Sequence, residues 1–306
     1  MSWNLHRSPD LGPLAEVWTA AQAAAPHHVF QHFSFARHWA ACFAAETDFC
    51  IAWQPAPPVL LPLARRHGCW SLIGEGLFDY LDVIGAADPR WAQAAADWVQ
   101  AHLGAPVCIS GVAAATAWAP FWRACGMAPL PFASVPWRDA GRHELAREHR
   151  RVERRWQAAA VTLRPSHGER ERRRVLEWLL EHKQRNLSAQ GRANVLGEKE
   201  YRWLAAMVAH QPALAELWEL RRGTRPLAAL LCWISPTTRY AYTISYDAAA
   251  AALSPGVLAL YALLRHTMRE GREFNFLTGE QAFKQRFATR TEQLLRYQTA
   301  YGEPQP

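Results

Sequence analysis

The sequence predicts an α/β protein with mixed sheets, built as two similarly ordered halves in tandem. Three observations lead there. The chain has 306 residues, about twice the usual domain length. Helical and strand periodicities alternate along it. Each half runs through helices, an antiparallel meander, a helix and a further strand. No residue-level repeat links the halves, so the duplication is read from element order alone. The expected domains are 1–140 and 141–306, with a helical connector over 142–160.

In the first half, helices are expected over 14–25 and 34–44. The second has Ser34 as its N-cap and carries Phe35, Trp39 and Phe43 at i+4 spacing toward a core. Strands over 49–54, 59–64 and 69–73 are separated by a Pro-rich turn at 55–58 and by His67-Gly68, forming a meander. A loop with Phe78, Asp79, Tyr80 and Asp82 follows. Then come a helix over 89–103, a strand over 107–110, a helix near 113–123 and a strand near 133–137. In the connector, Leu145, Val152 and Trp156 share one side and arginines crowd the other.

The second half begins with a strand over 160–164 and helices over 169–187 and 199–210, the latter striped by Tyr201, Leu204, Ala205 and Val208. Strands over 214–221 and 227–234 flank the turn Arg222-Gly223-Thr224. A third strand, 239–246, alternates Tyr240, Tyr242, Ile244 and Tyr246 with Ala241, Thr243 and Ser245, which predicts that Tyr242 and Tyr246 share a face. A helix opens at Ser254-Pro255-Gly256 and runs to about 270. A strand over 274–277, a short helix over 281–287 and a strand near 292–301 close the chain.

Half the residues are hydrophobic, a fifth are charged and no low-complexity tract intervenes, which excludes a disordered chain. The 15 Trp fit packing and internal contacts, or an aromatic acceptor cleft. The six Cys show no CxxC pair, and the 13 His show no HxxxH or HExxH, so neither disulfides nor a metal site is expected. There is no GxSxG, P-loop or dinucleotide fingerprint. The N-terminal residues lack a signal-peptide apolar core and the apolar runs are short, so a cytoplasmic protein without membrane insertion is expected.

Net charge is +7, yet residues 1–140 hold 7 Lys/Arg against 10 Asp/Glu, leaving 27 against 17 for the remainder. That asymmetry points to an anionic ligand on the second half: a phosphorylated cofactor, a nucleotide-linked sugar or RNA. DNA is not an expected partner. In the arginine-rich stretch 142–174, like charges at i,i+4, such as Arg151/Arg155, repel each other; a solvated helix and an anion-binding one both fit.

The stretch 240–256 is the most informative. A strand, a small-residue loop and Ser254-Pro255-Gly256-Val257 opening a helix put backbone N–H groups and a positive helix end at one point, as phosphate binding requires. Proline costs no hydrogen bond there, Ser254 is able to cap, and Gly256 allows close approach. An ordinary capped helix satisfies the same pattern.

Further residues extend it: Tyr246-Asp247 ending the strand, Leu258 in the helix, Gly271, the strand Phe274-Asn275-Phe276-Leu277, and Gly279-Glu280-x-x-Phe283-Lys284. Together these resemble the CelD-like and FemAB-like branch of the GNAT acyltransferase superfamily, over roughly 140–300 and more weakly through the Phe78-Asp79-Tyr80-x-Asp82 loop. The resemblance implies paired GNAT-like domains and transfer of an acyl group, from acetyl-CoA or another acyl-CoA, to an amine or hydroxyl of a small molecule or a nucleotide- or lipid-linked surface precursor. Close variants are Fem-like transfer from aminoacyl-tRNA, or a non-catalytic scaffold in exopolysaccharide or cellulose biosynthesis. The chain departs from ordinary GNAT enzymes in lacking their Gln/Arg-x-x-Gly-x-Gly/Ala phosphate loop.

The resemblance assigns Lys284 to the acyl or phosphate group, where an ammonium stabilises an oxyanion; a solvated helix lysine fits the same position. Glu280 would orient Lys284 or act as a base, or simply start a helix. Tyr242 and Tyr246 lie on one face of the donor strand, where a phenol can protonate a leaving thiolate; a half-buried sheet face accounts for such tyrosines as well. Asp79, Tyr80 and Asp82 are assigned to the acceptor, and Asp247 is a further loop carboxylate, although loop aspartates usually form turns.

Overall fold

A computed structural model of the chain, which describes residues 3–140, 147–194, 196–279 and 281–299, shows two units: residues up to Ser134 together with those from Glu292 onward, and Val135–Thr291. In the first unit β1 (Asn4–His6), β2 (Asp48–Pro55), β3 (Pro58–Arg66) and β4 (Cys69–Leu72) form an antiparallel sheet in that order, and β5 (Ile84–Gly85) also pairs with β3. The apolar stripe of α2 (Phe33–Phe43) is buried as expected, Trp39 stacking on Phe43 at 4.8 Å, while α1 (Ala15–Ala24) packs on β3. Ser34 is not the cap. The helix starts one residue earlier, and the His32 ring accepts from the Ser34 N–H at 3.2 Å.

Next come α3 (Pro89–His102), β6 (Cys108–Ala113) and α4 (Ala119–Ala124). The last helix begins later than its sequence suggests because Thr116 ends the turn before it, its hydroxyl bonded to Asp82 and accepting from the Trp118 N–H. The chain enters the second unit within β7 (Ala128–Arg138).

The second unit holds α5 (Arg147–Ala159), β8 (Thr162–Pro165), α6 (Gly168–Ala189), α7 (Glu198–His210), β9 (Ala215–Arg222), β10 (Arg225–Ile234), β11 (Thr238–Tyr246), α8 (Pro255–Arg269), β12 (Glu273–Asn275) and α9 (Ala282–Phe287). Its strands run in the order β7-β12-β11-β10-β9-β8, antiparallel except for β11 with β12. Alternation along β10 splits its side chains: Ala228, Leu230 and Cys232 join a core with α8, whereas Trp233 meets Trp203 of α7 on the other face at 5.6 Å. Val152 and Trp156 dock α5 onto the α8 core. Glu153 accepts from the Tyr261 hydroxyl at 2.5 Å and pairs with Arg265, so part of the connector's charge is spent on anchoring it. The final strand, β13 (Arg290–Gln298), rejoins the first unit from Glu292 on and pairs there with β6.

Candidate functional site

Two parallel strands part company at the centre of the second unit. β11 pairs with β12 over Thr238–Tyr240 against Glu273–Asn275, and the pairing ends there although β11 continues to Tyr246. The closed end is fixed by Arg239, fully buried, which holds Glu216 at 2.9 Å and Glu270 at 3.0 Å. Beyond Asn275 the chain turns toward β7: the Phe276 N–H donates to Pro136 O at 3.0 Å, the Asn275 side chain accepts from the Leu277 N–H at 2.7 Å, and Leu277 adopts φ 54°. The wedge so opened leads into a cavity of about 540 Å³ lined by β11, α6, α8, α9 and, between β12 and α9, by Phe276, Thr278 and Gln281. Tyr242, Tyr246, Ser254, Pro255, Gly256, Val257 and Lys284 all reach it.

The two tyrosines do not share a face. Leu231 pairs with Thr243 and Cys232 with Ala241, leaving Tyr242 as an extra residue in a β-bulge. Tyr242 lies against Trp233 at 5.2 Å and Trp203 at 6.4 Å, on the α7 side, while Tyr246 packs with the α8 core. Simple alternation placed them together because a bulge is silent in a period-two pattern.

At the start of α8 the expected serine cap is absent. Ser254 has φ 52° and makes no side-chain cap bond; its hydroxyl and the Leu253 carbonyl accept from Arg155 of α5, at 3.0 and 3.1 Å. The Val257 and Leu258 N–H groups turn back to Ser254 O, and Pro255 has none, so the helix end offers a ligand the Gly256 N–H rather than a ring of amides. A Cβ on Gly256 would sit 3.6 Å from Tyr246, in ordinary contact, and its φ is not left-handed. The glycine therefore answers no backbone need and leaves room on the cavity side.

Lys284 is held by a hydrogen bond from Nζ to Thr278 O at 2.5 Å, and a side chain at Gly279, where φ is 118°, would meet that ammonium. Glu280 lies outside the described residues. Two further cations that motif reading missed line the same cavity, Lys183 and Arg192, with the amides of Asn186, Gln190 and Gln281. No Asp or Glu is among the described lining residues. Burial and the neighbouring Arg192 both push the Lys183 pKa down. A signal was present: Lys183, Asn186, Leu187 and Gln190 fall at i, i+3, i+4 and i+7, one helix face, although their polarity reads as a solvated end.

The aspartate and tyrosine assigned to the acceptor serve the interior of the first unit. Tyr80 stacks on His28 at 3.9 Å and donates to Glu292 at 2.7 Å. Asp82 is buried, accepts from the Val83 N–H at 2.8 Å and Trp122 Nε1 at 3.0 Å, and bonds Thr116; burial pushes its pKa up to about 6. A ligand reaching Asp82 would have to displace those bonds. Asp79 is half-buried in the same loop, with its carbonyl close against Gly111. Asp247 forms a turn, accepting from Ala249 N–H at 2.9 Å and pairing with Arg225 at 2.5 Å, which holds its pKa low. Among the described residues no helix is long and apolar enough to cross a membrane, and no three His, Cys, Asp or Glu side chains gather as metal ligands.

Residues 140–285, inside the second unit, match the family of the acetyltransferase (GNAT) domain. No curated protein matches the chain in sequence. Among solved structures the chain is similar to the C-terminal domain of a putative lysylphosphatidylglycerol synthetase from Agrobacterium fabrum, at 12% identity over 93% of this chain and 92% of that one, with a TM-score of 0.64. It is similar to FemX at 10% identity over 96% and 97%, TM-score 0.65. It also resembles a tandem GNAT protein from the clavulanic acid biosynthesis pathway, at 12% identity over 100% and 99%, TM-score 0.51. These likenesses carry the fold: a mixed α/β architecture of two GNAT-like halves in tandem.

Proposed function

We propose that the chain is an acyltransferase that takes an acyl group from an acyl-CoA and transfers it to an amine or hydroxyl, with the donor in the wedge between β11 and β12. One observation carries this: a cavity within the residues that match the GNAT domain joins the strand split, the Gly256 helix end and the Lys284 ammonium. The Gly256 N–H and the positive end of α8 would take the donor's phosphate. The bulge at Tyr242 leaves the extra residue out of the ladder beside the wedge, where a polar main-chain group serves a carbonyl oxygen.

The acceptor's nitrogen or oxygen bonds to the acyl carbon, and the carbonyl electrons move onto oxygen. Lys284 offsets that charge. When the pair returns, the C–S bond breaks and the phenol of Tyr246 gives its proton to the thiolate, while the proton of the acceptor's own N–H or O–H passes through water and restores the phenol. A molecule in which this happens acts where acyl-CoA is available, in the cytoplasm.

The single amide at α8 also favours a second reading, in which the donor is an aminoacyl-tRNA ester held by fewer main-chain contacts. Both are tested by melting temperature in the presence of acetyl-CoA, longer acyl-CoAs, free CoA and aminoacyl-tRNA, since a ligand selective for the native state raises it. A rise with acyl-CoA supports the first reading, and a rise with aminoacyl-tRNA alone transfers the site to the second. No shift with any donor removes the transferase assignment.

A further inference from the structure

We propose that the α6 side of the cavity is an anion-binding subsite, formed by Lys183 and Arg192, and that the acceptor carries a phosphate or carboxylate group. Its assignment to the acceptor rests on the acyltransferase reading above, whereas the anion site stands on the residues themselves.

The cavity has two distinct sides because β11 runs between them. On one side Asn186 of α6 donates to Ser245 Oγ at 3.2 Å and to Tyr246 O at 2.9 Å, so α6 covers the face to which Ser245 points. On the other, Ile244 and Tyr246 face the start of α8, each within 4 Å of a Cβ built on Gly256. A donor phosphate at Gly256 therefore occupies the α8 side. The α6 side is left to the second substrate.

Its chemistry is one-signed. Lys183 is half-buried beside Arg192, and no carboxylate among the described residues pairs with either. Acids close to Lys183 in sequence or across the strand end are engaged elsewhere: Glu181 holds Arg185 at 2.5 Å and Asp247 holds Arg225. Two neighbouring cations, one of them partly desolvated, oppose each other unless an anion sits between them. Burial and repulsion both disfavour the charged lysine, which is the cost of keeping the subsite ready. Gln190 on the same helix face adds a neutral donor.

The test is calorimetry on the full chain and on Lys183→Met, Arg192→Met and the double variant. CoA is titrated first, then inorganic pyrophosphate and malonate onto CoA-saturated protein, the two anions separating phosphate from carboxylate recognition. At least one anion is expected to bind the wild type and to weaken about tenfold in each single variant, the size of one charge-assisted contact. CoA affinity should stay within about twofold, and Lys183→Met should melt no lower than the wild type because it removes an unpaired, half-buried charge. Anion affinity unchanged in the variants, or absent from the wild type, would overturn the subsite. CoA affinity falling in parallel would give both cations to the donor instead. Should CoA itself not bind, the donor reading fails on its own, and the same anion titrations on the free protein still decide the subsite.

Discussion

Arg155 of the connector helix donates to the hydroxyl of Ser254, fixing from another element the residue that opens α8. Ser254 is left-handed, a conformation that costs a non-glycine residue roughly 1–2 kcal/mol, so the turn depends on such outside support. Of the described arginines in that run, Arg155 is thus tied to the start of α8, while Arg150, Arg151 and Arg154 are exposed. Arg155→Met should lose about 1–2 kcal/mol, or a few degrees of melting temperature, and weaken donor binding as well. Thermal unfolding and calorimetry of that variant check both; unchanged values in each would detach α5 from the site.

Lys284 is expected to act by charge. Lys284→Ala should lower turnover on the order of 10²–10³ while changing stability little. Lys284→Arg should recover only part of the rate, because a planar fork does not fit where an ammonium bonds Thr278 O beside Gly279. Turnover and melting temperature measured together separate the cases: near-wild-type activity in Lys284→Ala would remove the ammonium from the chemistry.

Asp82 gives the first unit a pH dependence of definite sign. Its folded pKa, near 6, lies above the 3.8 of an exposed aspartate, so the unfolded chain loses its proton first. The resulting stability is complete below about pH 4 and is lost as pH rises through 6, by roughly 3 kcal/mol. Glu75, pushed up by burial to about 7, acts in the same direction. Asp82→Asn lacks its own share of this loss. The stability gap between wild type and Asp82→Asn should therefore narrow, by about that amount, between pH 4 and pH 8 in denaturant titrations. A gap independent of pH would contradict the buried, protonated state.

Hydrophobic periodicity was enough to place both meanders and most helices, because each strand or helix buries one face and its pattern records which. What periodicity does not record is a departure from regular geometry. The bulge at Tyr242 reversed the expected side of a tyrosine. The left-handed Leu277, with its N–H held by Asn275, opened the wedge from a segment that reads as plain strand. At α8, proline, serine and glycine marked the helix start correctly, yet the serine's partner is an arginine 99 positions away in sequence, beyond any local rule. Lys183 and Arg192 were invisible for a different reason: their meaning depends on the cavity they line, and polar residues near a helix end look the same when solvated.

The central claim, that the donor lies at the Gly256 end of the wedge, is tested most directly by titrating acetyl-CoA onto wild type and Gly256→Val in a calorimeter. Space for a small side chain exists beside Tyr246 and Ile244, so the variant should fold and melt close to wild type. A valine at that point crowds the free N–H and the approach to it. Wild type is expected to bind acetyl-CoA measurably, and Gly256→Val to lose about tenfold or more of that affinity. Equal affinity in the two proteins, with both folded, would place the donor elsewhere.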